Sequence, residues 1–158
     1  MNKTGTLIFC FIIGILACSG GYVWGDETFN RSPESIKTWA VFYAPDAPTK
    51  ILQEFDLVVL DPGNQTNPKR KPDGHPIYLG YVSIGEAEEE RAHFAKIKGA
   101  SFLVDKNPDW GSWYVDVRSD QWQRFLLDEV IPEIFKQGFD GLFMDTLDTA
   151  AHLEKYTD

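Results

Sequence analysis

Four short apolar runs limit what this chain can fold into. Residues 38–43 (T-W-A-V-F-Y), 56–60 (D-L-V-V-L), 77–84 (I-Y-L-G-Y-V-S-I) and 141–145 (G-L-F-M-D) are each long enough for a strand, and none alternates apolar with polar. A strand with one wet face alternates. A continuous run is covered on both faces, which is the habit of parallel sheets. Parallel neighbours need crossover connections, and the intervening segments are suited to that role. Residues 49–55 place Ile51, Leu52 and Phe55 at helical spacing, and residues 87–98 read as a charged helix carrying Ala92, Phe94, Ala95 and Ile97. The clearest helix covers 120–137, with Trp122, Phe125, Leu126, Val130 and Ile134 on one stripe, Ser119 as N-cap, Asp120 at its positive end and Gly138 as its stop. Pro132 lies inside it and is expected to kink it. Residues 64–76 hold Pro68, Pro72, Gly74 and Pro76 with no apolar period and read as loop, residues 110–117 include a short extended piece, and another helix starts at 149 and runs to 156.

Strand, helix, strand in one direction gives an α/β fold. An acid waits just past the second, third and fourth runs, at Asp61, Glu86 and Asp145. Acids at the C-terminal ends of parallel strands mark where a (β/α)8 TIM-type barrel builds its active site. Such a barrel has eight strands and about 250 residues. The expectation is therefore a barrel truncated to about its first four β/α units, the front half of a longer protein, with residues 38–158 as that half.

The first 25 residues differ in kind. Lys3 precedes an apolar run over residues 7–17 and small residues follow, the layout of a secretory signal. Cleavage after Gly25 would leave residues 26–37 as a polar leader, whereas Ile15-Leu16-Ala17-Cys18 resembles a lipobox that would lipidate Cys18. The chain is thus expected to be secreted or held at the cell envelope, touching a membrane only through this segment or that anchor. Both cysteines, Cys10 and Cys18, lie here, so a chain starting at Asp26 has no thiol chemistry. That cleavage removes only Lys3 among charged groups, taking the formal net charge from −9 to −10. An acidic domain lacks the basic footprint that nucleic acid requires, and it suits a cationic ligand.

Several residues could carry chemistry. Asp145 ends a buried run beside Thr146, as a working carboxylate or as a cap for the next turn. Glu86 follows Gly85 and could meet a ligand's ammonium or hydroxyl, or cap the helix after it; Glu88 to Glu90 read as the solvated first turn of that helix. Asp61 precedes the Pro62-Gly63 turn and could serve either the turn or a site, and Asp148 precedes the last helix as its N-cap or as a substrate-binding carboxylate. Tyr43 and Tyr81 could line a pocket mouth, and Trp110 and Trp113 could stack on sugar rings, although each could equally pack in core or loop. Asp140 and the Asp116–Arg118 pair read as structural. His75, His93 and His152 share no metal-ligand spacing, and no phosphate loop, G-x-S-x-G or H-E-x-x-H occurs, so neither metal nor cofactor is expected.

Five segments in order, W-A-V-F-Y, D-L-V-V-L-D-P, L-G-Y-V-S-I-G-E, W-Y-V-D-V-R-S-D-Q-W and G-F-D-G-L-F-M-D-T-L-D-T, resemble the endo-α-1,4-polygalactosaminidase family, glycoside hydrolase family 114. The resemblance runs from about Trp39 to the chain end. It implies a TIM-barrel hydrolase of galactosamine-containing polysaccharide, with the nucleophile-like aspartate at Asp145. It places the partner acid/base glutamate on a later strand, beyond Asp158. Glycosidic cleavage requires both carboxyl groups, one to protonate the leaving oxygen and one to attack or activate water. Two departures accompany it: residues between Asp61 and Ile77 leave no room for a helix, and four further barrel strands are absent. Three readings follow: a hydrolase of cationic amino-sugar polymer, a non-catalytic module binding such a polymer through Asp61, Glu86 and Asp145, or an inactive fragment.

Overall fold

The computed structural model describes residues 33–63, 68 and 76–154. The leader with Cys10 and Cys18, the loop cations Lys69 to Lys71 and His75 lie outside the described residues. Four parallel strands form one sheet: β1 (Trp39–Phe42), β2 (Leu57–Leu60), β3 (Ile77–Ser83) and, after three further strands in sequence, β7 (Gly141–Asp145), in the spatial order β1-β2-β3-β7. Leu57 pairs with Trp39 on one side and with Ile77 on the other, and Ser83 pairs with Asp145 at the far end. All four apolar runs are strands, and the sheet is parallel as their patterning requires.

Helices cover one face of the sheet. The α1 helix (Thr49–Leu52) follows β1, and the long helical stretch comprises α2 (Asp120–Phe125), a wider π turn (Leu126–Val130) and α3 (Ile131–Lys136). Leu52, Trp122, Phe125, Leu126 and Ile134 from these helices join Val58, Leu60, Tyr78 and Val82 from the strands in the main core. The Ser119 side chain caps α2 by accepting from the Trp122 amide at 3.5 Å. Pro132 acts earlier than a simple kink implies. Proline offers no amide to the carbonyl one turn back and its ring crowds that carbonyl, and the chain widens into the π turn just before α3. The sheet's other face carries a smaller cluster of Leu57, Val59 and Ile77, extended by Leu79, Tyr81 and Phe143. Trp39 and Val41 on β1 remain 53% and 38% exposed, so covering on both faces is complete only at the central strands.

The region after β3 departs from expectation. Residues 87–98 do not form one helix. They make β4 (Glu86–Glu88) and, after a turn, a 3-10 segment at Ala92–Lys96. A strand not read from the sequence, β5 (Leu103–Asn107), pairs antiparallel with β6 (Ser112–Val115), and β6 pairs antiparallel with β4, in the order β4-β6-β5. This small sheet sits directly past the end of β3. The last helix, α4 (Thr149–Leu153), follows β7. No helix among the described residues is long and apolar enough to cross a membrane.

Carboxylates at the N-terminal ends of the strands are spent on backbone. Asp56 Oδ2 accepts from the Lys37 and Thr38 amides at 2.9 Å each, and Asp140 Oδ2 accepts from the Tyr78 amide at 2.8 Å. Asp140 is structural, as its place before Gly141 suggested. Packing between sheet and helices is tight at Gly80, where an added Cβ would lie 2.3 Å from Ile134 Cγ2 and 3.3 Å from both Phe139 and Pro62. Ile134 and Phe139 are buried and cannot swing away. Gly80→Ala should lower unfolding free energy by about 1–3 kcal/mol in urea titration. Removing the opposing Cγ2 in Gly80→Ala/Ile134→Ala should relieve the clash, so the double variant should lose less than the sum of the two single changes.

Candidate active site

Side chains alternate along a strand, so Leu79, Tyr81 and Ser83 share one face of β3 while Phe143 and Asp145 share the same face of β7. Tyr81 pairs with Phe143 and Ser83 with Asp145. This register puts the Asp145 carboxylate one diagonal step from the Tyr81 ring. Tyr43 follows β1 on the same rim, and its ring meets Tyr81 edge to face at 5.1 Å with 68° between the planes. Asp61 stands just past β2, its Oδ1 accepting from the Gly63 amide at 2.7 Å. The rim therefore gathers Tyr43, Asp61, Tyr81 and Asp145, four of the eight residues singled out from sequence.

Two further residues complete the cluster. Arg91 Nη1 reaches Asp61 Oδ1 at 2.5 Å, its Nε bonds Glu88, and its guanidinium lies 5.8 Å from the Tyr81 ring centroid. Tyr81 in turn hydrogen-bonds to Glu88 and Asp145. Glu88 and Arg91 are only about one-fifth exposed. Glu88 lies in β4 and not in the solvated helix turn expected for it. Glu86-Ala87-Glu88 is too short to show a period, and its strand character comes from pairing with β6.

Burial and surrounding carboxylates shape the titration of the aromatic rim. Burial first, then the charges of Asp145, Asp61 and Glu88, push the Tyr43 phenol up to about 12. Burial, then Glu88 and Asp145, raise Tyr81 well above the ordinary tyrosine range. Burial alone would disfavour the charged form of Arg91, but hydrogen bonds to Asp61 and Glu88 outweigh it and hold the guanidinium more firmly protonated. The rim thus presents three carboxylates against one permanent cation, with neutral phenols between them.

The other four sequence candidates, Glu86, Trp110, Trp113 and Asp148, lie elsewhere, with Trp110 exposed on the turn between β5 and β6. Glu86 does not end β3 as a free rim acid. It is the first residue of β4, only 9% exposed, and its carboxylate accepts from Asn107 Nδ2 at 3.2 Å on both oxygens, Ser112 Oγ at 2.5 Å and Thr149 Oγ1 at 3.1 Å. A buried carboxylate needs such donors, and these tie β4, the β5–β6 hairpin and α4 together. Trp113 pairs with Ala87, on the opposite face of the small sheet from Glu88. Its indole donates to Glu89 at 2.7 Å and Lys106 lies 5.3 Å over its ring. Asp148 is exposed at the start of α4, and its side chain makes no capping hydrogen bond, contrary to the N-cap expectation. Asp116 and Arg118 form the ion pair their spacing suggested, at 2.8 Å.

The strand ends are locked by close approach. The Thr146 hydroxyl accepts from the Gly85 amide at 2.8 Å and lies 2.8 Å from Ser83 Oγ, with Thr146 itself in the left-handed region at φ 62°. A Cβ on Gly85 would fall 2.2 Å from the Thr146 carbonyl oxygen, so no larger residue fits without movement. A cavity of about 260 Å³ opens nearby on the helix side, lined by Arg91, His93, Trp122, Leu126, Glu129 and Ile134 among others, and Asp145 does not border it. No cluster of three or more metal-ligating side chains occurs among the described residues.

The sequence pattern of glycoside-hydrolase family GH114 matches residues 25–157. An uncharacterized protein of Deinococcus radiodurans is 30% identical, the match covering 60% of this chain and 33% of that protein. Among solved structures, the glycoside hydrolase domain of PelA from Pseudomonas aeruginosa is similar at a TM-score of 0.59 and 30% identity, over 72% of this chain and 46% of that one. Ega3 from Aspergillus fumigatus, solved in complex with galactosamine, gives a TM-score of 0.59 at 21% identity over 72% and 45%, a likeness of fold alone. The chain spans a third of the Deinococcus protein's length and under half of the two solved domains.

The phenols give a direct readout of the rim. Raised phenol values mean stability that is complete below the free tyrosine value near 10 and lost as pH rises through the folded values. For Tyr43 that window runs from about 10 to about 12. In a spectrophotometric alkaline titration, Asp145→Asn should lower the midpoints of Tyr43 and Tyr81, which feel its charge. Tyr78, raised by burial and then by Asp140, should stay where it is. Unchanged Tyr43 and Tyr81 midpoints would show that Asp145 does not face them.

Proposed function

The chain belongs to glycoside-hydrolase family GH114, and from that footing we propose that it carries the Asp145 side of a site hydrolysing glycosidic bonds in a cationic, galactosamine-containing polysaccharide. The observation that supports this most is the convergence of Asp145, Tyr81, Glu88, Arg91 and Asp61 at the C-terminal rim of a parallel sheet. That rim is where β/α barrels place their chemistry. Asp145 serves as nucleophile or as the base that activates water, and it opposes the oxocarbenium-like charge at the anomeric carbon. The second carboxyl group, a glutamate from a later strand of the complete barrel, donates the proton to the leaving oxygen. Tyr81 holds the Asp145 carboxylate in one orientation, and Tyr43 closes the pocket mouth. A carboxylate excess over Arg91 favours a sugar bearing an ammonium group over a neutral one.

Residues 38–158 form the front half of that barrel in this proposal, and residues 1–25 act as an export signal, with lipidation at Cys18 as the variant outcome. The apolar run over residues 7–17 behind Lys3 supports export. Asp61 and Tyr43 face substrate, whereas Glu86, Trp113 and Asp148 act at a distance from the Asp145 carboxylate.

The test is release of shorter chains from partially deacetylated galactosamine polymer by the intact gene product. Asp145→Asn should reduce the rate by more than about 10³-fold, as expected for removal of a working nucleophile, with the unfolding midpoint nearly unchanged. Near-normal cleavage by the variant would refute the assignment. Retention of polymer by both forms without any cleavage would favour a binding module instead.

A further inference from the structure

Resting on that reading, we propose that Trp110 forms a stacking subsite for a sugar ring lying outside the Asp145 rim. Trp110 is 83% exposed, the most exposed of the large apolar residues described. The other described indoles in this half of the fold are engaged. Trp113 donates to Glu89 beneath Lys106, and Trp122 is buried and donates to the Ile84 carbonyl at 2.8 Å. Singly exposed apolar side chains are common on protein surfaces, and what distinguishes Trp110 is a flat, almost wholly exposed indole on a fixed turn near the carboxylate rim.

The turn that carries Trp110 is built firmly. Glu86 grips Asn107 and Ser112, the two residues at the base of the hairpin. Asn107 Oδ1 accepts from the Asp109 amide at 3.1 Å, and the Asn107 carbonyl accepts from the Gly111 amide at 3.0 Å. Gly111 takes the left-handed conformation at φ 67° that closes the turn. A platform held in place before binding loses little freedom when a ring stacks on it.

Position links the platform to the rim. Glu88, which bonds Arg91 and Tyr81, pairs directly with Ser112 across β4 and β6. Paired Cα atoms in an antiparallel ladder lie about 5 Å apart, and two residues of chain reach at most about 7 Å. The Trp110 Cα is therefore no more than about 13 Å from that of Glu88. A polysaccharide threading the carboxylate rim would pass this turn within one or two rings. Pyranose rings present an apolar face of C–H groups, and a flat, fixed indole is the side chain suited to it.

The experiment is calorimetric titration of the full chain with galactosamine and with α-1,4-linked galactosamine oligomers of increasing length. Trp110→Ala should weaken the longer oligomers about tenfold and leave the monosaccharide unchanged, while Trp110→Phe should restore most of the loss. The thermal midpoint should not move, because the indole contributes no buried core. Equal affinity of wild type and Trp110→Ala for the longest oligomer overturns the stacking subsite while leaving the proposed function standing. Failure of the wild type to bind any oligomer overturns the proposed function itself, and the subsite with it.

Discussion

The pairing of β3 with β7 is the constraint on which the rest of the site depends. Five register pairs align the strands from Leu79–Gly141 to Ser83–Asp145, and the alignment continues past the ladder. There the Ile84 amide bonds the Asp145 carbonyl at 3.1 Å and the Gly85 amide bonds the Thr146 hydroxyl. A one-residue slip in a parallel pair would turn Asp145 into the helical core and Met144 onto the rim. Gly85 guards against such a slip from beyond the strand. Only a residue without a side chain lets the Thr146 backbone come this close, and Thr146 pays for the approach with a left-handed conformation.

Once β3 ends at that lock, the chain must turn, and the small antiparallel sheet decides where its acids go. Glu86 points inward to four polar contacts, and Glu88, two residues on, points to the rim. The two glutamates share a strand face but meet different environments. The Glu86 carboxylate accepts hydrogen bonds from the Asn107 amide and the Ser112 and Thr149 hydroxyls, which ties it to the hairpin and α4. Glu88 is neutralised by the Arg91 cation. Arg91 spans Asp61 and Glu88 with a planar fork that a lysine ammonium could not reproduce, so one side chain organises the ends of β2 and β4 together.

How much of this was legible in the sequence follows the physics of each segment. Val58 and Val59 sit in a run with no polar interruption, so β2 could be read, and it is buried along its whole length. Asp145 was legible because a charged residue at the end of such a run has to lie at the sheet's rim. Glu88 and Arg91 were not. In E-A-E-E-E-R the composition favours helix, and only tertiary pairing with β6 makes it a strand. The β5 strand was missed for a related reason: Val104, Asp105 and Lys106 are all exposed, so no burial pattern announced it. Pro132 signalled disruption, but whether a helix answers with a bend or a widened turn depends on packing around Leu126 and Ile134.

The two ends of the sheet use the same side chain for opposite purposes. At the N-terminal ends, Asp56 and Asp140 satisfy backbone amides that would otherwise be lost at strand boundaries. Such carboxylates are fully employed and add stability. At the C-terminal ends, Asp61, Glu88 and Asp145 crowd around one guanidinium and two phenols whose ionisation they oppose. Crowding like charges is unfavourable for folding alone, and a protein selected only for stability would dilute it. Arg91 relieves Asp61 and Glu88, whereas Asp145 faces the rim with Tyr81 as its neighbour. The electrostatic asymmetry of the fold therefore converges on the carboxylate that the register places at the strand's end.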